Sequence, residues 1–379
     1  MRGRMDFIDS SFTRKNNYFV LGELAPNLLT YDPFGDRARD IALDHLSLTF
    51  NHVPGARIRA GLFKTPGPEE TFQAIHTQDY VEFTHFASSQ MLERFVDGNL
   101  APAPAGGPAT AFSTIGTPTT EGYGTNGVRD WGIQVFDAID IGDDWSLSYA
   151  AMVGNGEALS YSDRDDNKDL YFYLAAEKSL PGGRAAKKHG LKFYAWWQDG
   201  KREFETDPLN REYGRNRQGV GVKFLGWPFQ SGYRQRLAAE LMFADGMLFI
   251  GPQAGVAGNP LRFAAEEGNL SRAITLDYGL YLDHHWELDM RVARHDLLYE
   301  QSGPWSKQDE RTFDELTLGV NYHINKKSRV TLNYTFRDVS APNPVTTYSA
   351  AANAVLTHNQ DTVVDSIGDR AMLQFTLLF

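Results

Sequence analysis

The chain has 379 residues, of which 42% are hydrophobic and 13% aromatic, and it carries a formal net charge of −11. Its apolar runs are only a few residues long, whereas a membrane-spanning helix needs about 20 consecutive apolar residues, so the composition excludes a helical membrane protein. The acidic balance argues against a general nucleic-acid binder. Because the sequence contains no Cys, structural disulfides, Cys-ligated clusters and thiol nucleophiles are excluded as well.

Alternation of apolar and polar residues with a period of two recurs along the whole chain. In the segment LTLGVNYH (316–323), apolar residues at even positions alternate with polar or small residues at odd positions. Because successive side chains of a strand point to opposite faces, this pattern predicts strands with one apolar and one polar face. In chain order, the predicted strands lie near residues 1–9, 16–24, 43–50, 56–64, 128–139, 144–153, 169–180, 191–198, 217–226, 233–246, 270–281, 285–297, 312–323, 329–338 and 368–379.

The connections between these strands are of two kinds that alternate. Short turns lie at 51–55, 141–144, 228–232 and 325–328, and long polar loops lie at 65–127, 154–168, 199–215, 247–268 and 339–367. Long loops that all lie at one end are typical of a transmembrane antiparallel β-barrel, with short periplasmic turns and long extracellular loops. The sequence therefore predicts an all-β fold in which residues 1–379 form a single barrel domain of about sixteen strands.

The strand count leaves two alternatives open. Fifteen strands are predicted, whereas a bacterial barrel has an even number because both of its ends are periplasmic. If the final strand descends toward the periplasm, segment 1–9 descends too, and one ascending strand is missing. That strand either lies upstream of Met1 or is hidden around residues 25–42. The first ten residues contain no apolar stretch like a signal-peptide core, so we expect either a mature form or a start farther upstream.

The last predicted strand ends on AMLQFTLLF (371–379), in which Phe379, Leu377 and Phe375 share one face. This strand resembles the C-terminal recognition strand of bacterial outer-membrane proteins, which ends in an aromatic residue. The resemblance implies that these three residues form the signal bound by the barrel assembly machinery, and that lipid buries the apolar face. The alternative is an ordinary core strand at a chain terminus.

The stretch ARIRAGLFKTPGPEE (56–70) ends an alternating strand in a Gly, aromatic, Lys, Pro sequence, carried by Gly61, Phe63, Lys64 and Pro66. With Arg59, it resembles the phosphate-selective porin O/P family of bacterial outer-membrane proteins. The segments MRGRMDF and YFVLGEL look like an early hairpin of the same porins. The resemblance covers about the first seventy residues and the final strand. It implies a homotrimeric channel in a Gram-negative outer membrane, with a basic lumen that conducts anions.

Alternation also predicts which basic residues line the lumen. An Arg that faces lipid at mid-bilayer costs about 2–4 kcal/mol, so inward placement is also what stability requires. Inward carboxylates such as Glu240, Glu287 and Asp289 could neutralise these charges instead, and both interpretations stay open. The predicted inward residues are Arg2, Arg4, Arg57, Arg59, Lys192, Lys223, Arg234, Arg236, Arg291, Arg329 and Arg337.

The loop at 65–127 is the longest, and a porin loop of this length commonly folds into the barrel and narrows it. A cap over the outside is the alternative. The charges that would set selectivity at the predicted constriction are those of Glu69, Glu70, Asp79, Glu82 and Arg94. This excess of carboxylates would disfavour phosphate, so the resemblance does not transfer a solute.

Motifs for metal sites and catalysis give no match. DRDDNKDL (163–170) resembles half of a calcium loop, but Lys168 replaces the required Gly and Leu174 replaces the bidentate Glu. The adjacent His284 and His285 diverge, and no nucleophile elbow or phosphate loop occurs. The sequence predicts no cofactor and favours a solvated acidic loop at 163–170.

Three functions remain as hypotheses. The first is a passive porin in the bacterial outer membrane for ions and small polar solutes, with an anion preference from inward Arg and Lys. The second is a barrel sheath that holds a partner, such as a multihaem cytochrome in an electron conduit. An outer-membrane enzyme is the third, but only His76 and His85 are candidate catalytic residues, so an enzyme is not predicted.

Overall fold

The computed structural model describes sixteen stretches of the chain. They are residues 2–9, 41–73, 78–91, 128–156, 166–183, 188–203, 212–227, 232–245, 248–251, 262–265, 270–299, 307, 310–325, 328–346, 348–365 and 367–377.

Fourteen strands form one antiparallel sheet in the described residues, in chain order except that β12 follows β9. Strands β10 and β11 pair with each other as a separate hairpin. The strands are β1 (Arg2–Asp9), β2 (Ile41–Phe50), β3 (Arg57–Lys64), β4 (Arg129–Ile141), β5 (Trp145–Gly154), β6 (Asp169–Ser179), β7 (Gly190–Glu203), β8 (Glu212–Gly226), β9 (Arg234–Asp245), β10 (Leu248–Gly251), β11 (Arg262–Ala265), β12 (Ser271–Tyr281), β13 (Trp286–Leu297), β14 (Arg311–Asn325), β15 (Ser328–Ser340) and β16 (Arg370–Leu377).

The all-β prediction is confirmed, and fourteen of the fifteen predicted strands coincide with strands of the main sheet. The predicted strand at 16–24, and with it half of the predicted early hairpin, lies outside the described residues. Strands β7 and β8 extend farther into the predicted loop at 199–215 than alternation indicates. These extensions are polar at nearly every position, so the period-two pattern disappears there.

The predicted direction of the first strand is wrong. Strand β1 pairs antiparallel with β2, Arg2 opposite Thr49 and Asp9 opposite Ile41. Since β2 runs toward the short turn at 51–56, β1 runs away from the short-turn end, and β16 runs toward it. The fourteen-stranded sheet of the described residues thus begins and ends at the short-turn end, as an even-stranded barrel does.

Two predicted polar loops contain regular structure. The hairpin of β10 and β11 lies within 247–268, and helix α2 (Ala350–Asp365) lies within 339–367. Leu356, Gln360 and Val364 recur every four residues and are buried, and Val364 packs against Phe313 and Val339 of the sheet. Only two of the three are apolar, so the helix gives a weak periodic signal. No helix in the described part of the chain is long and apolar enough to cross a membrane.

One face of the sheet, here called the apolar face, exposes large apolar side chains from β2 to β16. Leu318 at the middle of β14 is 45% exposed, Val220 of β8 54% and Phe375 of β16 68%. Leaving such a continuous surface in water would be strongly unfavourable, at about 25 cal/mol per Å². All fourteen strands of the sheet have 8–15 residues, which is close to or above the 9–11 residues that a tilted strand needs to cross a bilayer.

Exposed aromatic residues mark the short-turn edge of the apolar face. Trp145 opens β5, Trp286 opens β13, and Trp227 and Tyr233 flank the turn between β8 and β9, all at least 40% exposed. Indole and phenol rings favour the boundary between acyl chains and headgroups, so this edge has the composition of a membrane interface.

The opposite, polar face is buried although it carries polar residues. Thr317, Asn321 and Thr331 are each at most 1% exposed, and their hydroxyl and amide groups bond one another or other polar groups. Buried polar groups of this kind must be hydrogen-bonded to be tolerated. The polar face is therefore covered by another part of the chain.

Gly61 permits the close approach of β2 and β3. Its φ is +130°, a conformation that L residues rarely adopt, and an added Cβ would lie 2.1 Å from the carbonyl oxygen of Leu46. The Gly of the sequence motif at 61–66 thus has a structural role in strand pairing.

Candidate functional site

The segment after β3 covers the polar face. Its described residues, 65–73 and 78–91, are called the inner loop. It begins with helix α1 (Glu69–Phe72) and ends with a π-helical turn, Ala87–Met91. The Lys64 ammonium group donates to the carbonyls of Thr71 and Gln73 at 2.7 and 2.6 Å, which bends the chain back directly after the strand.

The two halves of the inner loop are joined by Glu70. Its carboxylate accepts hydrogen bonds from the backbone N–H and hydroxyl of Thr84, at 2.7 and 2.8 Å. Residues 69–70 and 82–84 therefore lie side by side. The guanidinium of Arg291 in β13 contacts both halves, since it donates to the Glu70 carboxylate at 3.0 Å and to the Glu82 carbonyl at 3.1 Å.

The contacts of this compact loop show that the sheet is curved. Glu69 pairs with Lys192 of β7, whereas Glu82 pairs with Arg370 of β16. Seven strand intervals separate β7 from β16 in the sheet, which is about 34 Å along a flat sheet at about 4.8 Å per interval. Both strands reach the same small loop only if the polar face is concave, so the sheet has the curvature of a β-barrel wall with its apolar face outward.

The inner loop crosses most of the height of this wall. It leaves the long-loop end at Lys64, the last residue of β3. Asp79 pairs with Arg236 at 2.9 Å, and Arg329 donates to the carbonyl of Gln78. Arg236 and Arg329 lie within two residues of the short-turn ends of β9 and β15. Hydrogen bonds from Asn321 to the Asp79 carbonyl and from the Val81 N–H to Asn333 fix the same depth.

Every predicted carboxylate of the constriction has a basic partner on the wall. The Glu69 carboxylate contacts Lys192 and, at 3.9 Å, Lys223. Arg236 also donates to Asp289 at 2.7 Å, so one guanidinium joins a loop carboxylate to a wall carboxylate. The remaining pairs are Glu70 with Arg291, Asp79 with Arg236, and Glu82 with Arg370.

Burial and ion pairing act in opposite directions on the loop carboxyl groups. Burial alone raises the pKa of Glu69, but Lys192, Lys223 and the Tyr173 hydroxyl together hold it below its usual value. Burial also raises the pKa of Glu70, and there the Arg291 charge and the Thr84 hydrogen bonds only partly offset it. Glu69 is therefore the carboxylate whose charge the wall stabilises more.

Apolar residues of the inner loop pack on the same face. Phe86 and Met91 are at most 1% exposed and form a cluster with Tyr194 and Trp196 of β7 and Met242 of β9. Burying side chains of this size contributes about 1.5–3 kcal/mol each. The loop is thus attached to the wall by ion pairs on one side and by an apolar cluster on the other.

The other predicted lumen residues are placed differently. Arg59 lies over the rings of Phe63 and Phe136, at 5.2 and 4.4 Å, and contacts no carboxylate among the described residues. Arg234 likewise lies over Tyr281 at 3.7 Å. Arg57 pairs with Asp137 at 2.8 Å. Arg337 donates to the carbonyl of Gly368 at the long-loop end.

The predicted assembly residues Phe375 and Leu377 lie on the apolar face, 68% and 60% exposed. Phe379 and Arg94 lie outside the described residues, as do the side chains of Arg2 and Arg4.

Several contact residues were missed by the sequence reasoning. Arg370 and Arg217 lie on the polar face, and Arg217 donates to the Gln90 carbonyl at 2.8 Å. Alternation could have identified both, because Arg370 lies on the same strand face as Met372 and Arg217 on the same face as Lys223. The contact between His85 and His295, 2.7 Å between Nδ1 atoms, has no signal in the sequence because the residues are 210 positions apart. Within the described residues, no group of three or more His, Asp or Glu side chains could hold a metal ion.

Two solved structures resemble the fold at low identity. An anion-selective porin from Comamonas acidovorans is 11% identical, with a TM-score of 0.45, over 80% of this chain and 70% of that chain. The outer membrane channel DcaP of Acinetobacter baumannii is 12% identical, with a TM-score of 0.39, over the same fractions. No protein-family model and no curated protein sequence matches the chain. At this level of overlap, solute and mechanism must be argued from the chain's own residues.

Proposed function

We propose that the chain is a passive porin of the bacterial outer membrane, which conducts ions and small polar solutes past a fixed inner loop. The observation that carries this proposal is the combination of two surfaces in one curved sheet: a continuous apolar face outward and an ion-paired polar face inward. Lipid contacts the first surface and water the second, as in transmembrane barrels. Selection then follows from the width left by the loop and from the lining charge.

An anion preference is part of the proposal and rests on the distribution of charge. The loop carboxylates are bonded to wall bases, so they contribute little net field, while Arg59 and Arg234 contact aromatic rings. Guanidinium groups over aromatic faces keep their charge and their outward-facing donors. Among the described residues, a solute on this path therefore meets Arg59 and Arg234 as cations that no carboxylate contacts.

Three features stay predictions from the sequence: the homotrimer, recognition of the terminal strand by the barrel assembly machinery, and the relation to phosphate-selective porins. The sheath hypothesis is less favoured because the chain's own loop occupies polar-face positions on seven strands between β7 and β16, which an enclosed partner would need. Of the two candidate catalytic residues of an enzyme, His76 lies outside the described residues and His85 is buried.

The test is single-channel recording of detergent-purified protein in planar bilayers under a KCl gradient. The proposal expects discrete current steps and a reversal potential on the chloride side. Replacing Arg59 with Gln should move the reversal potential toward zero without abolishing the steps. Absence of current from protein that migrates as a folded barrel on an unheated gel would overturn the channel, whereas a cation-side reversal potential would overturn only the anion preference.

A further inference from the structure

The second half of the inner loop is attached to the wall through two histidine rings. His85 precedes the π-helical turn, and His295 lies on the polar face near the long-loop end of β13. Their Nδ1 atoms are 2.7 Å apart, and both side chains are buried. The His85 ring stacks on Phe313 at 3.5 Å between centroids, and Phe86 meets the edge of the His295 ring at 5.3 Å.

The contact between the two rings limits how many protons the histidine pair can carry. A 2.7 Å contact between two ring nitrogens is a hydrogen bond only if one nitrogen carries a proton and the other does not. The other nitrogen of His295, Nε2, is 2.5 Å from the Ser271 hydroxyl, which can donate or accept. The pair can therefore hold one extra proton if His295 Nε2 becomes the donor to Ser271, while one proton stays between the two Nδ1 atoms. A second extra proton would place two N–H groups against each other between two cations.

The charges near the pair are divided between both signs in the described residues. The inner loop, β12, β13 and β14 pack around it, and Glu315 accepts a hydrogen bond from the His85 backbone N–H. Arg291, Arg337 and Glu82 interact with the Glu315 carboxyl, and Arg294 lines the same small cavity. The rest of the cavity lining is uncharged: Thr84, Phe86, Ala273, Thr275, Ala293 and Phe313.

We propose that His85 and His295 are positioning residues that hold the second half of the inner loop against the wall while the pair is neutral or singly protonated, and that acidification releases it. The inference rests on the proposed channel function only in one respect, namely that release of the loop widens the passage at low pH. Because unperturbed His titrates near pH 6.5 and the second proton is opposed, release falls below that pH. The Glu69 carboxyl, whose pKa Lys192 and Lys223 hold below its usual value against the effect of burial, responds at still lower pH.

The test uses a single introduced thiol, because the chain contains no Cys. Ser89 is 2% exposed within the π-helical turn, so Ser89→Cys is protected while the loop is docked. The rate of labelling by a thiol reagent is measured from pH 7.5 to 5 for two proteins. One carries Ser89→Cys alone, and the other carries Ser89→Cys together with His295→Gln, whose amide is a neutral hydrogen-bond donor. The ratio of the two rates at each pH cancels the intrinsic chemistry of the thiol. His323→Gln, on the same face beside Glu287, is the matched control.

We expect the labelling ratio to rise about tenfold toward pH 5, the effect of losing one buried hydrogen bond, and the His323→Gln protein to behave like the parent. A ratio that stays flat, whether the reference protein carries His295→Gln or His85→Gln, would overturn the inference. Conductance is recorded in parallel: protein that shows the labelling change but passes no current would refute the channel and leave the histidine contact standing.

Discussion

Arg291 offers the sharpest test of the attachment between loop and wall. Its guanidinium contacts the Glu70 carboxylate, the Glu82 carbonyl and, at 4.4 Å, the Tyr80 ring, and so joins both halves of the inner loop to β13. Replacing it with Gln removes the charge and leaves at most one hydrogen bond. We expect the docked loop to lose stability while the wall, whose hydrogen-bonded ladder is unchanged, still folds.

The magnitude follows from burial. Removing one partner of a buried pair costs about 3–5 kcal/mol because a charge is left uncompensated. The Arg291 side chain is 5% exposed but Glu70 is 21% exposed, so partial solvation of the remaining carboxylate favours the lower end. A loss of about 3 kcal/mol raises the ratio of released to docked loop about 150-fold, at about tenfold per 1.4 kcal/mol.

Single-channel recording measures this change directly. The Arg291→Gln protein should show larger or fluctuating conductance steps and pass larger sugars in liposome swelling. The matched control is Arg272→Gln, on the apolar side of the sheet, whose side chain is 48% exposed and pairs with Asp296; a pair of that kind contributes about 0–1 kcal/mol. Parent-like conductance and noise in correctly folded Arg291→Gln protein would refute the idea that the attached loop sets the width.

Three further predictions follow from the same geometry. Leu318→Arg, at the middle of the apolar face, should lower the free energy of unfolding in lipid vesicles by about 2–4 kcal/mol, whereas Ile324→Arg near the short-turn edge should cost about 0–1 kcal/mol; equal costs in urea titrations would contradict a membrane-facing belt. The pKa of Glu69 in the docked loop lies below its usual value of 4.5. The pairing of Glu69 with Lys192 therefore stabilises the docked loop above pH 4.5, and this stabilisation is lost as the pH falls through the lowered pKa. Channel recordings between pH 5 and 3 should therefore show a change in conductance that is absent from the Glu69→Gln protein. If the change persists in that protein, a group other than Glu69 causes it. Gly61→Ala should reduce the folding yield seen on unheated gels, because its Cβ would collide with the β2 backbone; an unchanged yield would show that β2 shifts at no cost.

The sequence predicted the wall well because each strand is constrained by two media. An apolar residue at one position and a polar residue at the next are needed wherever lipid and water lie on opposite faces, so alternation marks strands such as β14 and β15 within two residues of their ends. Above the apolar belt both faces are polar, and the ends of β7 and β8 went unrecognised for that reason. Helix α2, with two apolar residues among its three buried contacts, gave too weak a period to be predicted.

The interior could be predicted only as a set of residue types. Alternation placed Lys192, Arg236 and Arg291 on the polar face, and the carboxylates of the loop were evident as charges. Which base meets which carboxylate depends on how far the loop descends, and that depth is set by contacts such as Gln78 with Arg329 that have no local pattern. Direction in the sheet was equally inaccessible for β1, because it depends on pairing with β2 across residues 10–40.

The inner loop also imposes an order on assembly. Its bonds to Arg291, Arg329 and Arg370 join residues separated by 221, 251 and 288 positions in the chain. Contacts of such long sequence separation form only after the intervening chain has been organised. The inner loop is encoded in the first quarter of the polypeptide, but its attachment to the wall is therefore completed last, after the C-terminal strands have formed.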